Sequence, residues 1–132
     1  MTDRKEPRWL TKTGLVLLHD RSLALHGGSP GLRDEGLLES ALARPLNRHG
    51  YEDVSDLVEL AATYVVGLSS NHPFIDGNKR TAFLAGGVFL EKNGLSLTAD
   101  PVSATLTMLK VAAGEMDIEA LAEWLRANVR EL

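Results

Sequence analysis

Residues 56–94, DLVELAATYVVGLSSNHPFIDGNKRTAFLAGGVFLEKNG, decide the fold. Leu57, Leu60, Ala61, Tyr64, Val65 and Leu68 recur at i, i+3 and i+4, the spacing of a helix with one apolar face. This helix is expected to begin around Asp53 or Ser55 and to end at Ser69-Ser70-Asn71. A second helix opens at Lys79 and runs through Ala82, Phe83, Gly86, Phe89 and Leu90 to Gly94, placed as a C′ glycine. Ala82, Ala85, Gly86 and Gly87 leave its face smooth. Each helix-interior glycine costs about 1 kcal/mol relative to alanine, so close approach of another helix is the expected compensation. The loop His72–Asn78 joins the two.

The same period governs the chain on either side. Leu15, Leu18, Ser22 and Leu25 form a stripe, with Thr11 or Thr13 as N-cap, and His26-Gly27-Gly28-Ser29-Pro30-Gly31 breaks it. Asp34 caps a short helix carrying Leu37, Leu38, Ala41 and Leu42, expected to stop near Pro45. Leu46–Tyr51, with Gly50 at its centre, reads as an extended flap or a loop. Asp100-Pro101 starts a helix bearing Val102, Leu106 and Leu109, which Gly114 ends. Asp117 caps the last helix, with Met116 and Leu121 as a hydrophobic staple and Leu125 and Val129 continuing the stripe. The reading is an all-α fold of about six helices.

With 132 residues, 44% of them hydrophobic, and no repeat or linker, the chain is expected to be one domain over residues 1–132. The absence of cysteine excludes disulfides, thiolate metal sites and a cysteine nucleophile. The start MTDRKEPRW is charged and lacks the apolar centre of a signal peptide. No apolar run reaches the roughly 18–20 residues of a membrane span. The expectation is a soluble, cytoplasmic protein. A formal net charge of −4 weighs against general nucleic-acid binding, while 14 Lys and Arg leave room for a local basic pocket.

That pocket has a candidate in His72–Arg80, HPFIDGNKR. Gly77 and Asn78 can take backbone angles that turn successive N–H groups towards one point. A helix opens there, so its free N–H groups and positive dipole end face the same point. Lys79 and Arg80 add full positive charge, a placement that opposes the dipole and so is informative. Asp76 can hold a magnesium ion that takes its other ligands from phosphates and water. His72 is the candidate base, able to take a proton from an attacking hydroxyl. Phosphoryl-type transfer depends mainly on positioning and charge stabilisation, for which one base and one anion hole suffice. Phe74 is expected to point inward as an anchor. His19 and His49 lack a nearby anion hole in the sequence, and His26 sits in the glycine-rich turn, where a structural role is expected.

The segment resembles the Fic/Doc signature HPFxxGNxR: His72, Pro73, Phe74, Gly77, Asn78 and Arg80 fill its fixed positions and Asp76 its acidic one. The likeness continues through Gly27-Gly28, Gly31–Asp34, Leu38–Pro45, Asp56-Leu57, Ala61–Tyr64, Asn78–Ala82 and Phe89-Leu90 to Asn93-Gly94, and so is similar to the Doc (death on curing) toxin branch. The resemblance implies a helical Fic fold, with a short flap around Arg44–Tyr51, between helices 2 and 3, that docks the target chain as an added strand. It also implies ATP and Mg2+ as cofactors. His72 is then the base, Asp76 the metal ligand, and Gly77, Asn78, Lys79 and Arg80 the phosphate site. AMP-transferring relatives commonly carry an arginine three residues after the first, where this chain has Phe83. Doc toxins also lack it. The implied activity is therefore transfer of the γ-phosphate to a threonine of elongation factor Tu, with AMP transfer or a catalytically idle binding module as alternatives. Gly77 cuts the other way, being shared with the AMP-transferring branch. The self-inhibitory Ser/Thr-x-x-x-Glu-Gly/Asn motif fails, because Glu35-Gly36 is preceded at the matching position by Gly31. Inhibition is then expected from a Phd-like antitoxin whose C-terminal segment lies in a groove.

Overall fold

A computed structural model describes residues 6–132; Met1–Lys5, the beginning of the charged start, lie outside the described residues. The chain runs α1 (Lys12–His26), α2 (Glu35–Tyr51), α3 (Leu57–Asn71), α4 (Asn78–Lys92), β1 (Leu95–Leu97), α5 (Pro101–Ala112), α6 (Ile118–Arg126) and β2 (Val129–Glu131). The fold is all-α, with one small antiparallel pair, β1 with β2, in which Leu95 faces Glu131 and Leu97 faces Val129. Five helices begin on a side-chain cap. Thr11, Asp34, Asp56, Asp100 and Asp117 each accept a hydrogen bond from a backbone N–H two or three residues on. Thr11 is thus the cap of α1 rather than Thr13, and Asp56 takes the place expected for Asp53 or Ser55.

The middle of the molecule is α3, which packs against α2, α4, α5 and α6. Its striped face is buried from Leu60 to Leu68, with Leu57 partly so, and Val58, Ala62 and Thr63 are buried beyond that face. Helix α4 comes close to it at Gly86, where a Cβ would lie 2.6 Å from Val65 Cγ2. The smooth face read from the sequence is therefore a contact surface. Arg126 closes the far side, its Nη2 lying 2.7 Å from Asp56 Oδ2 and tying the end of α6 to the start of α3. No helix among the described residues is long and apolar enough to cross a membrane.

Five expectations are corrected. The inner face of α1 is Leu15, His19 and Ser22, with Leu25 79% exposed, because His19 is drawn in by a loop far along the chain. Helix α2 does not stop at Pro45 but continues to Tyr51. Proline removes one intrahelical hydrogen bond, yet Pro45 is buried and the turns beyond it are held from outside. Arg48 donates to Thr63 Oγ1 at 2.8 Å and to Glu59 Oε1 at 3.1 Å, and His49 packs edge-on against Trp9. The expected flap around Arg44–Tyr51 is accordingly helix, and the α2–α3 link is the short segment 52–56.

On α5 the buried residues are Thr107, Met108 and Val111, while Val102, Leu106 and Leu109 are more than half exposed. Ser103 accepts a hydrogen bond from Trp124 Nε1 at 3.2 Å, which turns that side of the helix inward. Finally, Val129 is not the last residue of the α6 stripe but the first of β2, since the helix ends at Arg126 and the chain turns back to pair with β1.

Candidate active site

Helix α3 ends at Asn71, and His72 follows as its C-cap in the left-handed region, φ 48° and ψ 55°. That conformation costs an L-residue roughly 1–2 kcal/mol. Arg33 holds it in place, donating from Nε to the His72 carbonyl at 2.6 Å and from Nη2 to the Asn71 carbonyl at 2.8 Å. These are among the carbonyls a helix end leaves unpaired. The segment before α2 binds the loop further: Arg33 N–H donates to the Pro73 carbonyl at 2.7 Å, and Ile75 N–H to the Gly31 carbonyl at 3.0 Å. Extended chain therefore does lie beside the loop, contributed by the α1–α2 connection, with Leu32 bridging Phe74.

Phe74 points inward as expected and is 2% exposed. Its N–H donates to Asn78 Oδ1 and its carbonyl accepts from Asn78 Nδ2, both at 2.9 Å. Asn78 is buried, and its amide is occupied in closing the loop, so its backbone N–H is what it can offer an anion. Beneath Phe74 lies His19, its ring stacked on the phenyl with centroids 3.8 Å apart and planes at 7°.

The Asp76 carboxylate is exposed. Its Oδ2 accepts from Ser29 N–H at 3.1 Å and its Oδ1 from Gly77 N–H at 2.8 Å. Donation from Ser29 and then Gly77, with the charge of Arg80 nearby, outweighs slight desolvation and holds the carboxyl below its ordinary range. It is ionised at neutral pH, as a metal ligand must be. Gly28 allows this contact: its φ is 125°, and a Cβ there would lie 2.9 Å from Asp76 Oδ2.

Gly77 is the N-cap of α4 in the left-handed conformation, φ 75°, which glycine adopts without steric cost. It offers no side-chain acceptor, so α4 is the one helix among the described residues with no side-chain cap hydrogen bond. Its first-turn N–H groups are left for an incoming anion, at the positive end of the dipole. Lys79 and Arg80 are exposed beside them.

All six residues singled out by the sequence, His72, Asp76, Gly77, Asn78, Lys79 and Arg80, line one cleft of about 950 Å³. Its other wall is apolar, built from Leu97, Pro101, Met108 and Leu109, with Phe83 on the α4 side. Phe83 also leans on Trp124, ring centroids 6.4 Å apart. The sequence reading expected only a structural role for His26, which lines the cleft, and gave no role to Arg33 or His19. The donor set suits magnesium. Asp76 supplies a hard, ionised oxygen ligand with lone pairs to spare. An ion here would complete its shell with phosphate and water, as Mg2+ does.

The model of the Fic/DOC family matches residues 9–90. The chain is 38% identical over 119 residues to "Protein kinase doc" of Escherichia phage P1, covering 90% of this chain and 94% of that protein. It is 39% identical over 99 residues to "Toxin Doc" of Mycolicibacterium smegmatis, covering 73% of this chain and 76% of that one.

Proposed function

The chain belongs to the Fic/Doc family, and from that premise we propose that it is the toxin of a toxin–antitoxin module and a protein kinase by reaction. It acts in the cytoplasm, moving the γ-phosphate of ATP to a threonine hydroxyl of elongation factor Tu and so blocking translation. The observation that carries this reading is the uncapped start of α4 opening into the same cleft as His72 and Asp76.

His72 takes the proton of the attacking hydroxyl, whose oxygen bonds to the γ-phosphorus as the bond to the β-phosphate oxygen breaks and ADP leaves. The N–H groups at the start of α4, with Lys79 and Arg80, hold phosphate oxygens and stabilise their charge through the transfer. Asp76 would hold a magnesium ion, which would supply neutralisation of phosphate charge. Phe83 lines the cleft at the position where AMP-transferring relatives commonly carry an arginine, which favours phosphate over AMP transfer. The off-switch lies on another chain. The exposed stripe Val102, Leu106 and Leu109, adjoining the apolar wall, is a suitable groove side for the C-terminal segment of a Phd-like antitoxin.

The test is incubation with Mg2+, elongation factor Tu and ATP labelled at either the α or the γ phosphorus. Label from γ is expected on the protein target; label from α would make the chain an AMP transferase, and no label on any of several targets would make it a binding module. His72→Ala should lower transfer by about two to four orders of magnitude. Undiminished toxicity of that variant in growing cells would refute the assignment of the base.

A further inference from the structure

His19 lies on α1, 57 residues before Asp76, and its side chain is 1% exposed. Three contacts join it to the site loop. Its ring stacks on Phe74, its Nε2 is 2.8 Å from the Asp76 carbonyl oxygen, and it lies beneath Gly77, where a Cβ would be 3.8 Å from Nε2. A carbonyl only accepts, so Nε2 carries the hydrogen of this bond. The other nitrogen, Nδ1, lies 3.8 Å from Asp20 Oδ1, beyond hydrogen-bond reach.

The consequence passes through one peptide plane. In a trans peptide the C=O and the following N–H point in opposite directions. With the Asp76 carbonyl held inward by His19, the Gly77 N–H faces the other way, and there it meets Asp76 Oδ1 at 2.8 Å. The imidazole thus fixes the plane, the plane fixes the N–H, and the N–H holds Oδ1 of a carboxylate whose Oδ2 is held by Ser29 N–H.

We infer that His19 is a positioning residue for Asp76, orienting its carboxylate through the Asp76–Gly77 peptide. Stacking and donation are separable. His19→Phe keeps an aromatic ring against Phe74 without the donor, while His19→Gln keeps an N–H near the Nε2 position without the ring. The role in magnesium use rests on the proposed phosphotransfer; the role in loop geometry does not, and the two are measured separately.

For geometry, 1H–15N spectra of the ligand-free protein should show the proton of His19 on Nε2, and the Gly77 amide should exchange with solvent about tenfold faster in His19→Phe than in wild type. In His19→Gln it should stay within about threefold of wild type, the donor being retained. For function, half-saturating Mg2+ in the labelled-ATP assay should rise about tenfold in His19→Phe and recover in His19→Gln. A His19 proton on Nδ1 alone, or unchanged Gly77 exchange in a His19→Phe protein with native circular dichroism, overturns the inference. So does equal impairment of both variants, the pattern of a core residue that only packs. Lack of transfer by the wild type would sink the phosphotransfer reading while leaving the spectra to decide the role of His19.

Discussion

Arg33 shows how much of this site depends on side chains that touch no substrate. Its guanidinium spans two carbonyls at the end of α3 and holds His72 at positive φ, with a cation where the helix dipole is negative. Because Arg33 is exposed, each bond is worth less than a buried charged one. Arg33→Ala should therefore cost only about 1 kcal/mol in a urea titration, yet lower transfer by about tenfold as His72 leaves its cap geometry. Arg33→Lys, a point charge unable to span both carbonyls, should recover less than half of the lost rate. Full activity in Arg33→Ala would show that His72 keeps its conformation without the clamp. The nine residues of the signature announced themselves because their types and spacing are local. Arg33 and His19 could not, since each acts on backbone carbonyls 38 to 57 residues away, and a carbonyl leaves no mark in a sequence.

Among the elements, the pair α3 and α4 positions the loop between them, and Gly86 packs tightly against Val65. Alanine at an exposed helical position would gain about 1 kcal/mol over glycine. Here its Cβ would lie 2.6 Å from a methyl of a β-branched residue that is 1% exposed and cannot swing aside. Gly86→Ala should thus destabilise the protein by a net of about 1–3 kcal/mol in denaturant unfolding; a gain in stability would mean the helices part at little cost. Helix starts were legible because Asp34, Asp100 and Asp117 are caps that act within three residues. The course of α2 past Pro45 was not, because Arg48 finds its partners Thr63 and Glu59 on another helix. The phase of α5 was also hidden: an apolar stripe marks a face that seeks cover, and Val102, Leu106 and Leu109 stay more than half exposed among the described residues.

Across the whole molecule, the segment before α1 closes on the centre through Tyr64. The phenol oxygen accepts from Leu10 N–H at 3.2 Å, and Trp9 and Tyr64 both pack against Phe89. Burial pushes the phenol up to about 12 from 10.0, only partly offset by the Leu10 bond. The folded state therefore holds the proton more tightly than the unfolded chain. Stability has its full value below the unfolded pKa near 10 and falls as pH rises through the folded value near 12. A difference of about two units corresponds to a loss of about 2–3 kcal/mol above that window. Tyr64→Phe removes the titrating group and leaves Leu10 N–H without its acceptor, a cost of about 1 kcal/mol at neutral pH. The two stability curves should then cross. Urea titrations are expected to show wild type the more stable by about 1 kcal/mol near pH 7, and the variant the more stable at about pH 12. If Tyr64→Phe stays the less stable protein across that range, the phenol ionises without opening the core, and the N-terminal segment is not held shut by it.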